Sequence, residues 1–173
     1  ILRSFERVEA ITFPALKAGV PWSFTTFGQY LDAMRGKLGV NVASLVGHCA
    51  LRQFVMDAAS IERAATPVEI QQMKEVLKAS VRAGAAGFST NQNPVHMYAD
   101  GTPIQSRFAT DEEIVELAAI SAQQPDAVFF GGYYPDAARL VASLRRQGSA
   151  TAFVMGDNGM DPQFIAIAGE ALP

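Results

Sequence analysis

Short apolar runs rich in β-branched and aromatic residues alternate along this chain with longer stretches of helical periodicity, and that alternation most constrains the fold. Runs of this kind suit βα units, in which strands buried on both faces form a parallel sheet and helices cover it. Four strands are predicted, over Val40–Gly47, Ala85–Thr90, Ala127–Gly132 and Ala150–Met155. The expected fold class is therefore α/β, with a largely parallel four-stranded sheet.

Helical signals fill the gaps between these strands. From Thr26 to Leu38, Phe27, Tyr30, Leu31 and Met34 recur every three or four residues and define one apolar face. Thr66, Pro67 and Glu69 supply an N-cap, a first-turn proline and a capping-box carboxylate for a helix to about Ala83, which Gly84 closes. Thr110 with Glu113 repeats the capping box and starts a helix through Ile114, Leu117, Ala118 and Ile120 to about Gln123. Pro135 opens another through Leu140, Val141 and Leu144, with Arg145 and Arg146 where the helix dipole favours cations. Asp161 and Pro162 begin the last. Asn91–Ala109, with two prolines and an Asp100-Gly101 turn, reads as a long loop of functional or disordered character.

At 173 residues the chain suits one domain, and its 49% hydrophobic and 18% charged residues fit a packed globular protein. The net charge of -3 comes from interspersed signs, which leaves no basic stripe for phosphates and excludes nucleic acid as an expected partner. No apolar run approaches the roughly 18 to 20 residues that span a bilayer. A soluble protein is expected, cytoplasmic rather than periplasmic. The start ILRSFERVEA has neither an initiator Met nor an apolar signal core and reads as internal to something longer. Cys49, the sole cysteine, excludes an intrachain disulfide and offers no CxxC spacing for a closed zinc site.

Specific segments carry a family resemblance. FERVEAI, FGQYLDAM, NVASLVGHCALRQFVM, ATPVEIQQMKEVLKASVRAGAAGFST and ADGTPIQSRFATDEEIVELA make residues 1–123 resemble the N-acyl-D-amino-acid deacylases, or D-aminoacylases, of the amidohydrolase superfamily. Met56-Asp57 departs from the pattern, which usually has a glycine between the two. That resemblance implies a segment of a zinc-dependent (β/α)8 barrel that hydrolyses amide bonds. Residues 124–173, with PDAVFFGGYYPDAARLVASLRRQGSATAFVMGDNGMDPQFIAIAGEA, resemble instead a doubly wound βαβα stretch of the periplasmic branched-chain amino-acid-binding proteins of ABC importers. The two segments are expected to pack as one domain. A natural fusion, an engineered chimera and a misassigned sequence would each give such a join.

The resemblance implies zinc, which needs three protein ligands and an open position for water. The family's ligand motifs, a His-x-His pair, a cysteine, two later histidines and an aspartate, are absent, so the metal is left unassigned. Four residues at predicted strand ends and loops are the catalytic candidates: His48, Ser89, His96 and Asp157. His48 also reads as a hydrogen-bonded strand-end histidine, Ser89 as a structural serine, His96 as a solvated loop histidine and Asp157 as a turn residue. Arg52, in the GH-x-x-LR motif that shapes the family's site, and Tyr133 and Tyr134, beside the third strand, are the ligand-binding candidates. The second resemblance implies that an aromatic and an acidic residue here hold an amino-acid head group.

Two functions compete on these grounds. One is a hydrolase of amide or ester bonds acting on a small molecule. The other is a non-catalytic binding or structural protein with residual affinity for an amino acid. A sheet of four βα units leaves two unpaired edges, and a homo-oligomer is expected to cover them.

Overall fold

The computed structural model describes residues 6, 10–121, 127–130, 133–146, 148–150, 152–155 and 161–169, with the backbone alone described at 121 and 127–130. In chain order the elements are α1 (Phe13–Gly19), α2 (Phe27–Met34), β1 (Leu45–Gly47), α3 (His48–Met56), α4 (Pro67–Arg82), β2 (Gly87–Ser89), α5 (Asp111–Ser121), β3 (Ala127–Phe130), α6 (Tyr134–Arg146), β4 (Ala152–Met155) and α7 (Pro162–Ala168). Short 3-10 turns occupy Asp57–Ile61 and Gln105–Phe108.

Local chemistry accounts for several of these boundaries. Thr66 accepts from the Glu69 N–H while the Glu69 carboxylate receives the Thr66 N–H, a complete capping box at the start of α4. Gly84, at φ +111, turns the chain out of that helix. Thr26 and Gln29 form a second capping box for α2, which stops at Met34 rather than Leu38 because Arg35 turns extended and Gly36 takes φ 72.

Two helices lie where no helix is predicted. α1 begins beside Thr12 with Pro14 in its first turn. α3 follows β1 without a linker: Gly47, at φ -76 and ψ 130, is both the last strand residue and the helix N-cap. His48 and Cys49 are therefore the first residues of a helix and not strand-end residues facing opposite ways. A helix puts His48 and Arg52, four residues apart, on one face.

The expected four-stranded sheet is instead two parallel pairs. β1 pairs with β2 in the register Leu45 to Gly87, Val46 to Phe88 and Gly47 to Ser89, and β3 pairs with β4 from Ala127 opposite Ala152 to Phe130 opposite Met155. No ladder joins the pairs among the described residues. β2 stops at Ser89 because its partner there, Gly47, ends β1 and His48 is already helical; beyond it the Asn91 carbonyl accepts from the Ser106 hydroxyl, while the Asn91 side chain caps the Asn93 N–H. Both groups turn the chain away from the sheet. β1 also starts late: residues 40–43 have no partner strand among the described residues, and Val40 and Val42 are exposed.

The core has two main parts that share one helix. Val46, Leu51, Met73, Leu77, Leu117 and Ile120 pack together around β1, while Ile114, Val115, Ala118, Ala137, Leu140 and Leu144 pack between α5 and α6. Full burial of a side chain such as Leu77 or Leu117 contributes about 1.5 to 3 kcal/mol. Among the described residues no helix is long and apolar enough to cross a membrane.

Candidate functional site

Glu113 organises the polar interior. It occupies the third position of α5, where its N–H donates to the Thr110 hydroxyl as an N-cap pattern requires. Its carboxylate does not return to the cap. It turns inward, wholly buried, and receives Arg52 Nη1 on both oxygens and His48 Nε2 on Oε1 at 2.8 Å. Arg52 is equally buried, and its Nη2 donates to the backbone carbonyls of Arg63 at 2.8 Å and Ser60 at 3.4 Å. A buried charge is tolerated when it is paired and hydrogen-bonded in this way. The pair ties α3 to α5 and to the turn after α3.

The network fixes the His48 tautomer. An ionised carboxylate only accepts, so Nε2 carries the hydrogen and donates to Glu113. Nδ1 then accepts from the Thr90 hydroxyl at 2.8 Å. Burial, the largest influence, pushes the His48 imidazole below its ordinary range, and Arg52 pushes the same way, against the opposing pull of Glu113. Burial alone would raise the Glu113 carboxyl. The hydrogen bonds from His48 and Arg52, with their charges, outweigh it and hold that carboxyl low. Neutral imidazole beside ionised carboxylate is the resulting state. Phe88 stacks edge-on against the imidazole at 5.2 Å and completes its apolar wall.

A second polar layer lies in the loop after β2. Cys49 Sγ donates to Ser106 Oγ at 3.3 Å, and Gln92 Nε2 donates to the Ser106 carbonyl at 2.7 Å. The loop also carries contacts of its own, with Met97 bridged to Pro103 across the Asp100-Gly101 turn. Because Asn91 Oδ1 is held by the Asn93 N–H, it is Asn91 Nδ2 that meets His96 Nδ1 at 2.6 Å. His96 Nδ1 accepts there, which leaves Nε2–H of this half-buried ring as a donor. Gln105, also buried, donates to Gln53 Oε1 and to the Tyr98 hydroxyl. Arg52 Nε and Gln105 Oε1 are buried without a hydrogen-bond partner among the described residues.

Ser89 joins none of this. It is half-buried, opposite Gly47 in the ladder, and among the described residues no hydrogen bond links it to His48 or His96. Its neighbour Thr90 makes the contact with His48, since successive residues at a strand end face opposite ways. Thr90 also lines an open cleft of about 610 Å³, with Gln92, Asp111, Asp136, Arg139 and Arg146 among its other walls. Burial, with the charge of Asp111, raises the Asp136 carboxyl, against Arg139 and Arg107.

Tyr133 and Tyr134 make no contact with this network among the described residues. Tyr133 is 43% exposed, and the Tyr134 hydroxyl donates to Gln163 Oε1 at 3.0 Å, linking α6 to α7. Asp157 lies outside the described residues. Among the described residues no group of three or more His, Cys, Asp and Glu is gathered to hold a metal. Both nitrogens of His48 are engaged, and so is Nδ1 of His96.

Thr90 and Glu113 are the residues that sequence reasoning missed. Glu113 matches a capping box, which hides its inward role, and its partner lies 65 residues away. The spacing of His48 and Arg52 is a signal, readable only once a helix is assigned there.

Comparison with known proteins gives a partial match. The chain is 39% identical over 103 residues to the D-aminoacylase of Alcaligenes xylosoxydans xylosoxydans, a stretch that is 59% of this chain and 19% of that protein. With the N-acyl-D-aspartate deacylase of the same organism it shares 44% identity over 68 residues, 39% of this chain and 13% of the relative. A solved D-aminoacylase mutant in complex with copper chloride superimposes with a TM-score of 0.52 at 19% identity, over 76% of this chain and 33% of the other. No family model matches. This chain thus spans under a fifth of the curated relatives it matches, and within the matched stretch it is homologous to them.

Proposed function

We propose, from this chain's homology to D-aminoacylase, that it is an amidohydrolase-related segment whose chemistry is hydrolysis of an amide or ester bond in a small acylated substrate. The observation that carries this reading is the 39% identity over 103 residues. The geometry supports it with a polar network at the carboxyl ends of β1 and β2, beside an open cleft. Sites in βα folds assemble at that edge. N-acyl-D-amino acids are the proposed substrate class.

The candidates divide by what their surroundings leave free. His48 is proposed to hold Thr90 and to exchange its proton, with Arg52 positioning Glu113 behind it. His96 is proposed as a donor to a substrate oxygen through Nε2. Ser89 and Asp157 remain proposals resting on their positions in the sequence. Residues 1–123 are proposed as a barrel-derived segment and residues 124–173 as a second unit packed against it, with a homo-oligomer covering the unpaired sheet edges.

The test is hydrolysis of N-acetyl-D-amino acids by the purified chain, with and without chelator, beside elemental analysis for zinc. Turnover of the D-series supports the reading. A folded chain that turns over neither these amides nor a simple ester overturns it.

A second reading is favoured by the unit from β3 to α7, in which α6 connects two parallel strands and α7 packs back on it. We propose that this βαβα unit corresponds to part of a doubly wound amino-acid-binding lobe, with Tyr133 and Tyr134 at its edge. A rise in Tm with millimolar leucine, lost on Tyr133→Ala, supports that reading; an unchanged Tm removes it.

A further inference from the structure

Glu113, His48 and Thr90 form one continuous chain from a buried carboxylate through an imidazole to a hydroxyl, with each link 2.8 Å long. The tautomer has one consistent assignment, in which Nε2–H points to the carboxylate and Nδ1 faces the hydroxyl hydrogen. Thr90 is one of the residues that line the cleft, while His48 and Glu113 are buried, at 1% and 0% exposure. A hydroxyl held by a base that is itself oriented by a third group is the arrangement that activates a weak oxygen nucleophile.

We infer that Thr90 is an acyl-accepting nucleophile, activated by His48 and positioned through Glu113. The inference rests on the hydrolase reading above and adds a route that needs no metal ligand from this chain. Thr90 Oγ1 bonds to the carbonyl carbon of an ester or amide in the cleft as its proton passes to His48 Nδ1. The bond to the leaving alcohol or amine breaks, and the leaving group takes that proton. Water then attacks the acyl-threonine ester and gives a proton to the same nitrogen. The carboxylic acid departs and the Thr90 hydroxyl is restored.

The surroundings set the reactivity. Low basicity keeps the imidazole in its accepting form across neutral pH but weakens its pull on the proton. Arg52 shares the carboxylate and reduces the support Glu113 gives to an imidazolium. Esters with good leaving groups are therefore expected to react faster than amides.

The experiment treats the full chain with p-nitrophenyl acetate, quenches in acid, and maps acetylated peptides by mass spectrometry. One acetyl group on Thr90 is expected. It should be retained in Thr90→Ser and absent in Thr90→Val. His48→Gln should slow acetylation about 100-fold or more. Where His48→Gln unfolds, the wild-type pH profile replaces it: labelling that levels off once His48 is neutral supports the relay, and a rate that climbs in proportion to hydroxide overturns it. Acetyl groups on lysines alone, in folded protein, also overturn it. Full N-acetyl-D-amino-acid turnover by Thr90→Val overturns the inference and leaves the hydrolase reading intact. Thr90 acetylation without that turnover supports the inference and removes the amide substrate.

Discussion

Arg52 and Glu113, 61 residues apart in sequence, meet as an ion pair with neither side chain exposed to solvent. Arg52→Met leaves a buried carboxylate with only His48 for company. Breaking such a pair costs about 3 to 5 kcal/mol. The double variant Arg52→Met with Glu113→Leu removes both charges and should cost clearly less than the sum of the two single changes. Urea unfolding of the three variants checks this, and additive costs would show that the two residues do not act together.

Acid should loosen the fold in two stages. His48 titrates below its ordinary 6.5, so at pH values under about 6.5 the unfolded chain binds the proton that the fold refuses, and stability falls as pH falls. Glu113 titrates below its ordinary 4.5, so its contribution is whole above 4.5 and is lost as pH drops through the folded value. Glu69, held at about 2 first by Arg63 and then by the Thr66 N–H, acts in the same direction on the surface. Asp136, raised by burial, acts oppositely, its share fading as pH rises through its folded value. Urea midpoints followed from about pH 7.5 to 4.5 should decline from 6.5 downward in wild type. In His48→Gln the first part of that decline should vanish, and an unchanged curve would falsify its assignment to His48.

The capping box of α4 gives a smaller, local effect. Thr66→Ala removes the acceptor for the Glu69 N–H and one anchor of the Glu69 carboxylate. A loss of about 1 kcal/mol is expected, and Thr66→Ser should recover most of it. Thermal unfolding of both variants measures the difference.

Gly84 holds φ +111 at the exit from α4, with space for a methyl group 3.4 Å from Leu31. The obstacle to a side chain is therefore backbone conformation rather than crowding. Gly84→Ala should destabilise by more than about 1 kcal/mol, and Gly84→Asn by less than alanine, because asparagine tolerates positive φ better. Equal costs for the two would point to crowding after all.

The sequence announces the elements whose signals are local. α4 and α5 carry Thr-x-x-Glu caps, α6 ends in paired arginines, and each of the four predicted strands contains a real one. β1 and β2 are shorter because pairing sets strand length, and among the described residues a run such as 40–43 has no partner strand. α3 is hidden because Gly47 ends a strand and caps a helix at once, with no turn residues between. The site was half legible. His48 and Arg52 stand out in GH-x-x-LR, whereas Glu113 imitates a cap and Thr90 sits beside the more conspicuous Ser89. Relations across dozens of residues leave no periodic trace.

α5 belongs to both halves of the interior: Leu117 and Ile120 face β1 and α4, while Ile114, Val115 and Ala118 face α6. A helix with two such allegiances is a common wall, and neither room can be opened without disturbing it. Loosening the α6 side withdraws support from Glu113, which sits one residue from Ile114, and so reaches the Arg52 and His48 contacts on the far side. Amide protons of α5 should then be among the slowest to exchange with deuterium, and exchange at Thr90 should follow the opening of α6 although among the described residues no ladder connects the two sheets.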